Sequence, residues 1–384
     1  MNVIIDGFPL MFTKTGIGFY THNIIKGFLR LAPEHNYYLY DNLTKNGFHT
    51  IVKIGRSLSA IDRFSKIESV PFPYMTIARL SLYISSLVSG RNRIKLRDTD
   101  VFWGTNCRGI YKKRMKTVVT IHDMSHEYFP ETVHSSVLPY LKRHMKEAAS
   151  KAHTIIADSE NTKGDIIRFL NPDPSKIKVI HLGVAEDFHV IQDAFLLKAI
   201  KNKYSLPDNF VFALGTIQPR KNIPRLLRAF AALCKKPSFT HWLVIGGAYG
   251  WKNKDVYASI TELGITDRIR FTGYISENDL PCIYNLADVF VYPSLYEGFG
   301  LPVLEAMACG VPVVTSNVSS LPEVAGNNAL LVNPADVEDI AAAIEKILSD
   351  QALKDSLRNK AMQHVRRFTW QRCALETLTE LKGS

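Results

Sequence analysis

The sequence predicts an α/β fold built from two domains, each with a parallel β-sheet. Short apolar runs alternate with amphipathic stretches along most of the 384 residues, and this alternation is typical of βαβ units whose helices cover both faces of a sheet. The alternation stops in a polar stretch, residues 185–209, and starts again near residue 210. A chain of this length is also long enough for two domains.

The boundary and the elements follow from these runs. We place the first domain at residues 1–184 and the second at residues 185–367, because residues 185–209 contain Pro207 and no strand pattern. The predicted buried parallel strands are residues 3–5, 117–121, 154–157, 178–182, 210–214, 242–245, 289–292 and 311–315, and the clearest predicted helices are residues 222–233 and 337–348.

The charge balance favours an anionic partner. There are 47 basic and 36 acidic residues, a formal net charge of +11. Nucleic acid, an anionic membrane and a phosphorylated substrate all suit such an excess. Two basic clusters, residues 91–97 and 108–116, lie in the first half of the chain. They have few aromatic neighbours and no nucleic-acid-binding motif, so we expect no nucleic acid partner.

The cysteines and the N-terminus indicate a cytoplasmic protein. The five cysteines are scattered without CxxC spacing, which argues against a disulfide framework or zinc ribbon and for a reducing compartment. Residues 1–10 include Asp6 and no basic leader, so they predict a first strand and not a signal peptide. The longest apolar region, residues 75–88, is too short and too polar to span a bilayer.

The most informative segment follows the predicted strand 289–292. Gly298 and Gly300 predict a tight turn before a helix, with Pro302 in its first turn. Backbone N–H groups at such a helix start can hold an anion or sugar hydroxyls. Glu297 and Glu305 flank this turn, and each carboxylate can accept two hydrogen bonds from a vicinal diol; the alternative is a capped helix with two surface glutamates. The segment reads Glu297-Gly298-Phe299-Gly300-Leu301-Pro302-Val303-Leu304-Glu305.

Two adjacent cations follow the predicted strand 210–214. Arg220 and Lys221 come after Gly215 at a strand-to-helix junction. Such a pair suits a diphosphate, whose negative charge grows as it leaves. The alternative is a solvated basic pair at the start of a helix.

The first half contributes two weaker candidates. Gly16 and Gly18 follow the first strand, and a glycine loop that opens a helix can admit a phosphate closely, although the pattern is not GxGxxG. His122 follows the predicted strand 117–121, where its ring can hydrogen-bond a sugar hydroxyl. The alternative for His122 is a histidine that satisfies backbone groups at a strand end.

Neither of two metal-like patterns predicts a metal site. His126 stands four residues after His122, but Asp123 and Ser125 favour a turn and not the helix that would bring the two rings together. The second pattern, DxD at residues 98–100, precedes a strand and follows a basic run. We interpret it as loop and strand-start polarity.

Taken together, these segments resemble the retaining glycosyltransferase family 4, whose GT-B fold has two Rossmann-like domains that face a cleft. The most specific part of the resemblance is the family's E-x7-E motif, which Glu297 and Glu305 match. The resemblance implies that Arg220 and Lys221 hold the donor's diphosphate, that Glu305 holds the ribose and that Glu297 holds the transferred sugar.

The same resemblance extends over nearly the whole chain. Gly16 and Gly18 match the family's N-terminal glycine loop, and His122 matches a histidine close to the donor sugar. The nucleotide is then expected mainly on the second domain and the acceptor on the first, with a C-terminal helix at about residues 368–384 that crosses back to the first domain. The resemblance adds these residues to the donor site: Gly215, Gly298, Phe299, Gly300 and Leu301.

Within that family, the sequence is most similar to bacterial mannosyltransferases of O-antigen and related polysaccharides. This implies transfer of mannose from GDP-mannose, with retention, to a glycan or lipid-linked acceptor, with no metal and no further cofactor. In the expected mechanism Arg220, Lys221 and backbone N–H groups stabilise the departing diphosphate, and a diphosphate oxygen accepts the acceptor's proton.

Three alternatives stay open from the residues alone. The same fold can use a UDP- or dTDP-sugar, it can belong to a sugar-nucleotide epimerase, or it can be a sugar-binding protein without activity. Epimerases need dedicated acid and base residues and lack this glutamate spacing. The intact set of Arg220, Lys221, Glu297 and Glu305 argues against an inactive relative.

We also expect the first domain to contact an anionic surface on the inner face of the cytoplasmic membrane. Residues 74–88 are apolar enough to insert shallowly, and Ile77, Leu80, Ile84 and Leu87 share one face if the segment is helical. The alternative is that this face packs in the domain core.

Overall fold

A computed structural model describes residues 1–11, 16–42, 49–54, 96–133, 135–247 and 254–383. The chain divides into two compact units. The first unit comprises Met1–Met124, His134–Gly183 and Trp370–Ser384, and the second comprises Ser125–Val133 and Val184–Thr369. Segment Ser125–Val133 groups with the second unit, whereas the sequence placed it in the first domain.

The described residues contain 13 strands and 13 α-helices. The strands are β1 (Asn2–Asp6), β2 (Asn36–Asn42), β3 (His49–Ile54), β4 (Val101–Gly104), β5 (Lys116–Ile121), β6 (Thr154–Ala157), β7 (Ile177–Val179), β8 (Phe210–Leu214), β9 (Trp242–Gly246), β10 (Ile269–Gly273), β11 (Val289–Tyr292), β12 (Val313–Ser316) and β13 (Leu330–Val332). The helices are α1 (Gly16–Leu31), α2 (Ser125–Tyr128), α3 (Leu138–Lys151), α4 (Glu160–Leu170), α5 (Ala194–Lys203), α6 (Ile223–Cys234), α7 (Lys254–Glu262), α8 (Leu280–Leu286), α9 (Leu301–Ala308), α10 (Leu321–Ala325), α11 (Val337–Ser349), α12 (Gln351–His364) and α13 (Trp370–Lys382).

The first unit is built on one sheet, which in its described part has seven strands in the order β3-β2-β1-β4-β5-β6-β7. Neighbouring strands run parallel except at the edge, where β3 pairs antiparallel with β2. The prediction of a parallel sheet is therefore wrong for this edge. Only residues 43–48 separate β2 from β3, and six residues are too few for the crossover that a parallel pair needs.

The C-terminal helix α13 packs against α1 within the first unit. At Gly27 of α1, an added Cβ would lie 2.3 Å from the Cβ of Ala374, so the two helix backbones approach closely. The Trp370 ring lies 5.9 Å from Phe19 and 6.2 Å from Tyr20, measured between ring centroids. This contact ties the end of the chain to its first helix.

The second unit also contains one sheet, whose described strands follow the order β10-β9-β8-β11-β12-β13 and are all parallel. Its core lies between the sheet and helices such as α6 and α11, where Leu226, Phe230, Ile340 and Ile344 are fully buried. In both sheets the strand order reverses beside a central strand pair. Ligands of open α/β sheets bind at the carboxyl ends of the strands at such a reversal.

Several elements differ from those predicted. Strand β7 begins and ends earlier than residues 178–182, and β12 ends one residue later than residues 311–315. Residues 125–128 form the short helix α2 where a turn was predicted. The apolar segment 74–88 and the basic residues 91–95 lie outside the described residues. None of the helices in the described ranges combines the length and the apolar character that crossing a bilayer requires.

Candidate active site

The candidate site lies at the carboxyl ends of β8 and β11, the central pair of the second sheet. After β8 the chain forms a short 3-10 helix, Pro219–Lys221, and after β11 it turns into α9. The backbone N–H of Leu295 donates to the carbonyl of Arg220 over 2.8 Å and so joins the two loops. The carboxyl ends of parallel strands lie at the same edge of a sheet. This topology therefore brings together two segments that are about 75 residues apart in the sequence.

Arg220 and Lys221 converge on the Glu297 carboxylate. Glu297 Oε1 lies 2.6 Å from Lys221 Nζ, and Oε2 lies 2.7 Å from Arg220 Nη1. Glu297 is only 7% exposed. Burial alone would raise the pKa of Glu297, but the two cations outweigh burial and lower the pKa to about 2. Glu297 is therefore ionised throughout the physiological range.

Both cations have further fixed partners. Arg220 Nη1 donates to the Tyr296 carbonyl over 2.6 Å. Lys221 Nζ donates to the Tyr292 hydroxyl and lies 4.7 Å from the centroid of the Tyr292 ring. Lys221 also passes beside Gly215, which has a φ of +146°, and an added Cβ there would meet the lysine side chain at 3.2 Å. These contacts hold two positive charges at one edge of the sheet.

The glycine turn after Glu297 has the predicted geometry. Gly300 caps α9 with a φ of +111°, a backbone conformation that side chains rarely adopt, and Pro302 lies in the first turn of α9. The Ser320 hydroxyl donates to the carbonyls of Glu297 and Phe299 over 2.9 and 2.6 Å. These hydrogen bonds fix the turn. The first backbone N–H groups of α9 follow directly after it, and at a helix start such groups have no acceptor within the helix.

Glu305, the second glutamate of the motif, lies one turn into α9 and has a different environment. It is half-buried and accepts a hydrogen bond from the Tyr284 hydroxyl over 3.1 Å. Burial raises the pKa of Glu305 to about 7, and Glu277 adds to the increase while the Tyr284 hydrogen bond opposes it. Glu305 therefore titrates near neutral pH, whereas Glu297 does not.

Asn222 supports the site through hydrogen bonds to two backbone carbonyls, a role that its sequence position alone did not reveal. It is buried, has a φ of +60°, and donates from Nδ2 to the carbonyls of Pro293 and Pro334 over 3.0 and 2.6 Å. Asparagine tolerates this left-handed backbone better than most residues. Its amide therefore connects the end of the Arg220–Lys221 segment to the loop after β11.

The first unit holds the remaining candidates. Gly16 and Gly18 form the first turn of α1 and not a loop before it. His122 follows β5, and both of its ring nitrogens are engaged: Nδ1 lies 2.7 Å from Asp158 Oδ2 and Nε2 lies 2.9 Å from the Thr105 carbonyl. Burial lowers the pKa of His122, but Asp158 and Thr105 outweigh burial and raise it. This arrangement fits the backbone-satisfying alternative, because a sugar hydroxyl must replace one of these acceptors to reach the ring.

The DxD residues lie at the opposite edge of the first sheet from the carboxyl ends of its strands. Asp100 precedes β4 and accepts a hydrogen bond from the backbone N–H of Asn2 over 2.7 Å, while the Asp98 carbonyl accepts from the Asn2 side chain. In the described part of the chain, no three His, Cys, Asp or Glu side chains are grouped as a metal site requires.

Comparison with known proteins identifies the family. The model for "Glycosyltransferase Family 4" matches residues 32–188, and the model for "Glycosyl transferases group 1" matches residues 198–364. The chain is 31% identical over its full length to the full length of the O-antigen chain mannosyltransferase B of Escherichia coli. The chain belongs to glycosyltransferase family 4.

Other relatives agree with this assignment. The serotype-specific mannosyltransferase WbdA of E. coli is 36% identical over 61% of this chain, which spans 29% of WbdA. Among solved structures, WaaG, a glycosyltransferase involved in lipopolysaccharide biosynthesis, has a TM-score of 0.70 at 15% identity over the whole of both chains. Sucrose-phosphate synthase from Thermosynechococcus elongatus has a TM-score of 0.69 at 20% identity, over 98% of this chain and 96% of its own. These structural likenesses confirm the GT-B fold.

The protein is thus a glycosyltransferase, and the geometry shows which predicted residues share surroundings. Arg220, Lys221 and Glu297 form one ion-pair network in the second unit, and Glu305 lies in the helix that follows the same turn. Tyr284 contacts Glu305, and Tyr292 contacts Lys221. Sequence analysis identified neither tyrosine. The only sequence signal for Tyr292 was its position at the end of the predicted strand 289–292, which precedes the glycine turn.

Proposed function

We propose that this glycosyltransferase moves mannose from GDP-mannose, with retention of anomeric configuration and without a divalent metal, to a glycan or lipid-linked acceptor of a bacterial surface polysaccharide. The observation that carries the proposal is the convergence of Arg220 and Lys221 on one anionic group, with N–O distances of 2.6 and 2.7 Å. Two fixed cations can stabilise the diphosphate that leaves in the transition state, a task that other glycosyltransferases give to a metal.

The relatives support the sugar and the pathway. Both the full-length E. coli relative and WbdA carry the name mannosyltransferase, and the first is named for the O-antigen chain. In the mechanism we propose, Glu305 holds the ribose and Glu297 the sugar, while residues Gly215 and 298–301 line the donor site. A diphosphate oxygen accepts the proton of the acceptor hydroxyl, since no other base needs to be invoked.

The test is a transfer assay with GDP-mannose, UDP-sugars and dTDP-sugars, each with an oligosaccharide acceptor and with or without EDTA. We expect release of GDP and an α-linked product from α-configured donor, unaffected by EDTA. Lys221→Ala and Arg220→Ala should lose most of the activity. Loss of activity in EDTA that Mg²⁺ or Mn²⁺ restores contradicts metal independence. An epimerised nucleotide-sugar without release of nucleoside diphosphate indicates an epimerase instead.

We also propose that the first unit attaches to an anionic membrane, where a lipid-linked acceptor is presented. Residues 184–369 contain 19 basic and 19 acidic side chains, whereas the rest of the chain contains 28 basic and 17 acidic ones. The whole net charge of +11 therefore lies outside the part of the chain that holds Arg220 and Lys221. The donor's phosphates cannot account for this excess.

Some of the basic side chains outside residues 184–369 form an exposed surface along α3. Arg143, Lys146 and Lys151 are exposed on α3, and Lys151 Nζ lies 5.7 Å from the Tyr111 ring, next to the exposed residues 112–114, which are all basic. Tyr140, at the start of α3, is 40% exposed. Each basic side chain near an anionic membrane contributes about 1 kcal/mol, so several give reversible, salt-sensitive attachment.

Sedimentation with vesicles tests the attachment. We expect binding to vesicles with anionic lipid at low salt, weaker binding at high salt, and little binding to neutral vesicles. The variant Arg143→Glu/Lys146→Glu should bind less, while the matched variant Lys235→Glu/Lys346→Glu, exposed on the second unit, should bind as the wild type does. Equal and negligible binding to both kinds of vesicle contradicts the proposal.

A further inference from the structure

The Glu297 carboxylate occupies the cations that the proposed function assigns to the donor's diphosphate. Each of its oxygens contacts one cation, at 2.6 Å for Lys221 Nζ and 2.7 Å for Arg220 Nη1. All three side chains are largely buried, with 10 to 15% of each exposed. A carboxylate and a phosphate present similar acceptor geometry to guanidinium and ammonium groups. Glu297 is thus an internal anion at the place where an external one is expected.

The carboxylate can move without the turn that carries it. The backbone of Glu297 is fixed at both polar atoms, since its N–H donates to Ser319 Oγ over 3.0 Å and its carbonyl accepts from Ser320 Oγ over 2.9 Å. On the Glu297 side, the contacts to Arg220 and Lys221 are made by the side chain alone. Rotation of the side chain therefore releases both cations while the glycine turn and the start of α9 stay in place.

Release of the cations has a cost that depends on the ligand. A buried carboxylate that leaves two cations needs new hydrogen-bond donors, because an unpaired buried charge is strongly unfavourable. An intact nucleotide-sugar brings donors in the hydroxyls of its sugar. A nucleoside diphosphate without the sugar brings none to this position, so the carboxylate stays on the cations and competes with the phosphates.

We propose that Glu297 determines specificity for the intact donor by competing with the diphosphate for Arg220 and Lys221 whenever no sugar is attached. This inference rests on the proposed function of the site. Before transfer, the sugar hydroxyls hold Glu297 away from the cations. After transfer, the carboxylate returns to the cations and displaces the nucleoside diphosphate, so Glu297 limits product inhibition.

The experiment compares the sign of two affinity changes in Glu297→Gln. Calorimetry with inorganic pyrophosphate and with GDP should show binding about tenfold tighter or more than in the wild type, since the internal competitor has lost its charge. The intact donor should bind more weakly, because the variant holds the sugar hydroxyls less well. The exposed variant Glu338→Gln serves as the control for net charge and should change neither affinity.

The outcomes separate this inference from the proposed function. Pyrophosphate binding does not depend on the correct base or sugar, so an error in the assignment of GDP-mannose leaves this measurement valid. Unchanged or weaker pyrophosphate binding in Glu297→Gln overturns the inference. Equal tightening of pyrophosphate and intact donor also overturns it, because that result indicates only a general charge effect. Glu297→Asp keeps the charge but shortens the reach, and it should tighten pyrophosphate binding by a smaller factor.

Discussion

Glu305→Gln should stabilise the protein at alkaline pH. Burial raises the pKa of Glu305 to about 7 from an ordinary value of 4.5. Between these two values the folded state keeps a proton that the unfolded state has released, so the free energy of unfolding falls as the pH rises through this window. The loss is complete above about pH 7, and glutamine, which does not titrate, avoids it.

The magnitude follows from the size of this shift. A rise in the pKa from 4.5 to about 7 corresponds to about 3 kcal/mol as an upper limit. Because Glu305 is only half-buried, solvent screening reduces the expected gain to about 1–2 kcal/mol. The gain should be close to zero near pH 4.5 and reach its full size by pH 8. The glutamine oxygen can still accept the hydrogen bond from Tyr284, so the packing is conserved.

The assay is urea-induced unfolding of the wild type and Glu305→Gln at about pH 5 and pH 8, followed by far-UV circular dichroism. The exposed variant Glu338→Gln controls for the change of net charge and should show no pH-dependent difference. An equal difference at both pH values refutes the reasoning, because a packing effect does not titrate. A variant that is less stable than the wild type at pH 8 refutes it as well.

Three further predictions concern Glu305, Asn222 and His122. In calorimetry, Glu305→Gln should weaken binding of the nucleoside diphosphate by roughly 1.5–3 kcal/mol, and wild-type affinity should rise between pH 6 and pH 8 as Glu305 ionises; unchanged affinity contradicts the ribose role. Asn222→Ala should lower the free energy of unfolding by about 2–4 kcal/mol, because the carbonyls of Pro293 and Pro334 lose their donor. A loss below about 0.5 kcal/mol in urea unfolding contradicts this supporting role of Asn222. His122→Gln should destabilise the protein more at pH 6 than at pH 9, since the stability from a raised histidine pKa is present at low pH and lost as the pH rises; equal losses at both pH values argue against a charged ring.

Much of the fold could be predicted because its signals are local. The runs that became β8 and β11 are apolar throughout, as is typical of strands buried on both faces, and the runs that became β5 and β6 add only threonine and one lysine to their apolar residues. Strand β10 was missed because it lies at the edge of its sheet, where Arg270 is exposed, so the run is not uniformly apolar.

The glycine turn of the site was also predictable from local sequence. Gly300 needs its left-handed backbone whatever surrounds it, and Pro302 reports the helix start by its own ring geometry. The partners of the site were not predictable in this way. Tyr284 is 21 residues from Glu305, and Asp158 is 36 residues from His122. No spacing rule connects such pairs, because strand order and not sequence distance brings them together.

The two motif glutamates show how this contrast between local sequence signals and distant partners bears on function. They are identical side chains eight residues apart, yet the pKa of Glu297 falls to about 2 while the pKa of Glu305 rises to about 7. The motif supplies two carboxylates, and burial together with residues distant in the sequence decides their charge. Arg220 and Lys221 keep one of them a permanent anion, whereas the other, beside Tyr284, can exchange a proton near neutral pH. Carboxylates whose environments separate their pKa values are suited to different tasks, so replacing one glutamate should not reproduce the effects of replacing the other.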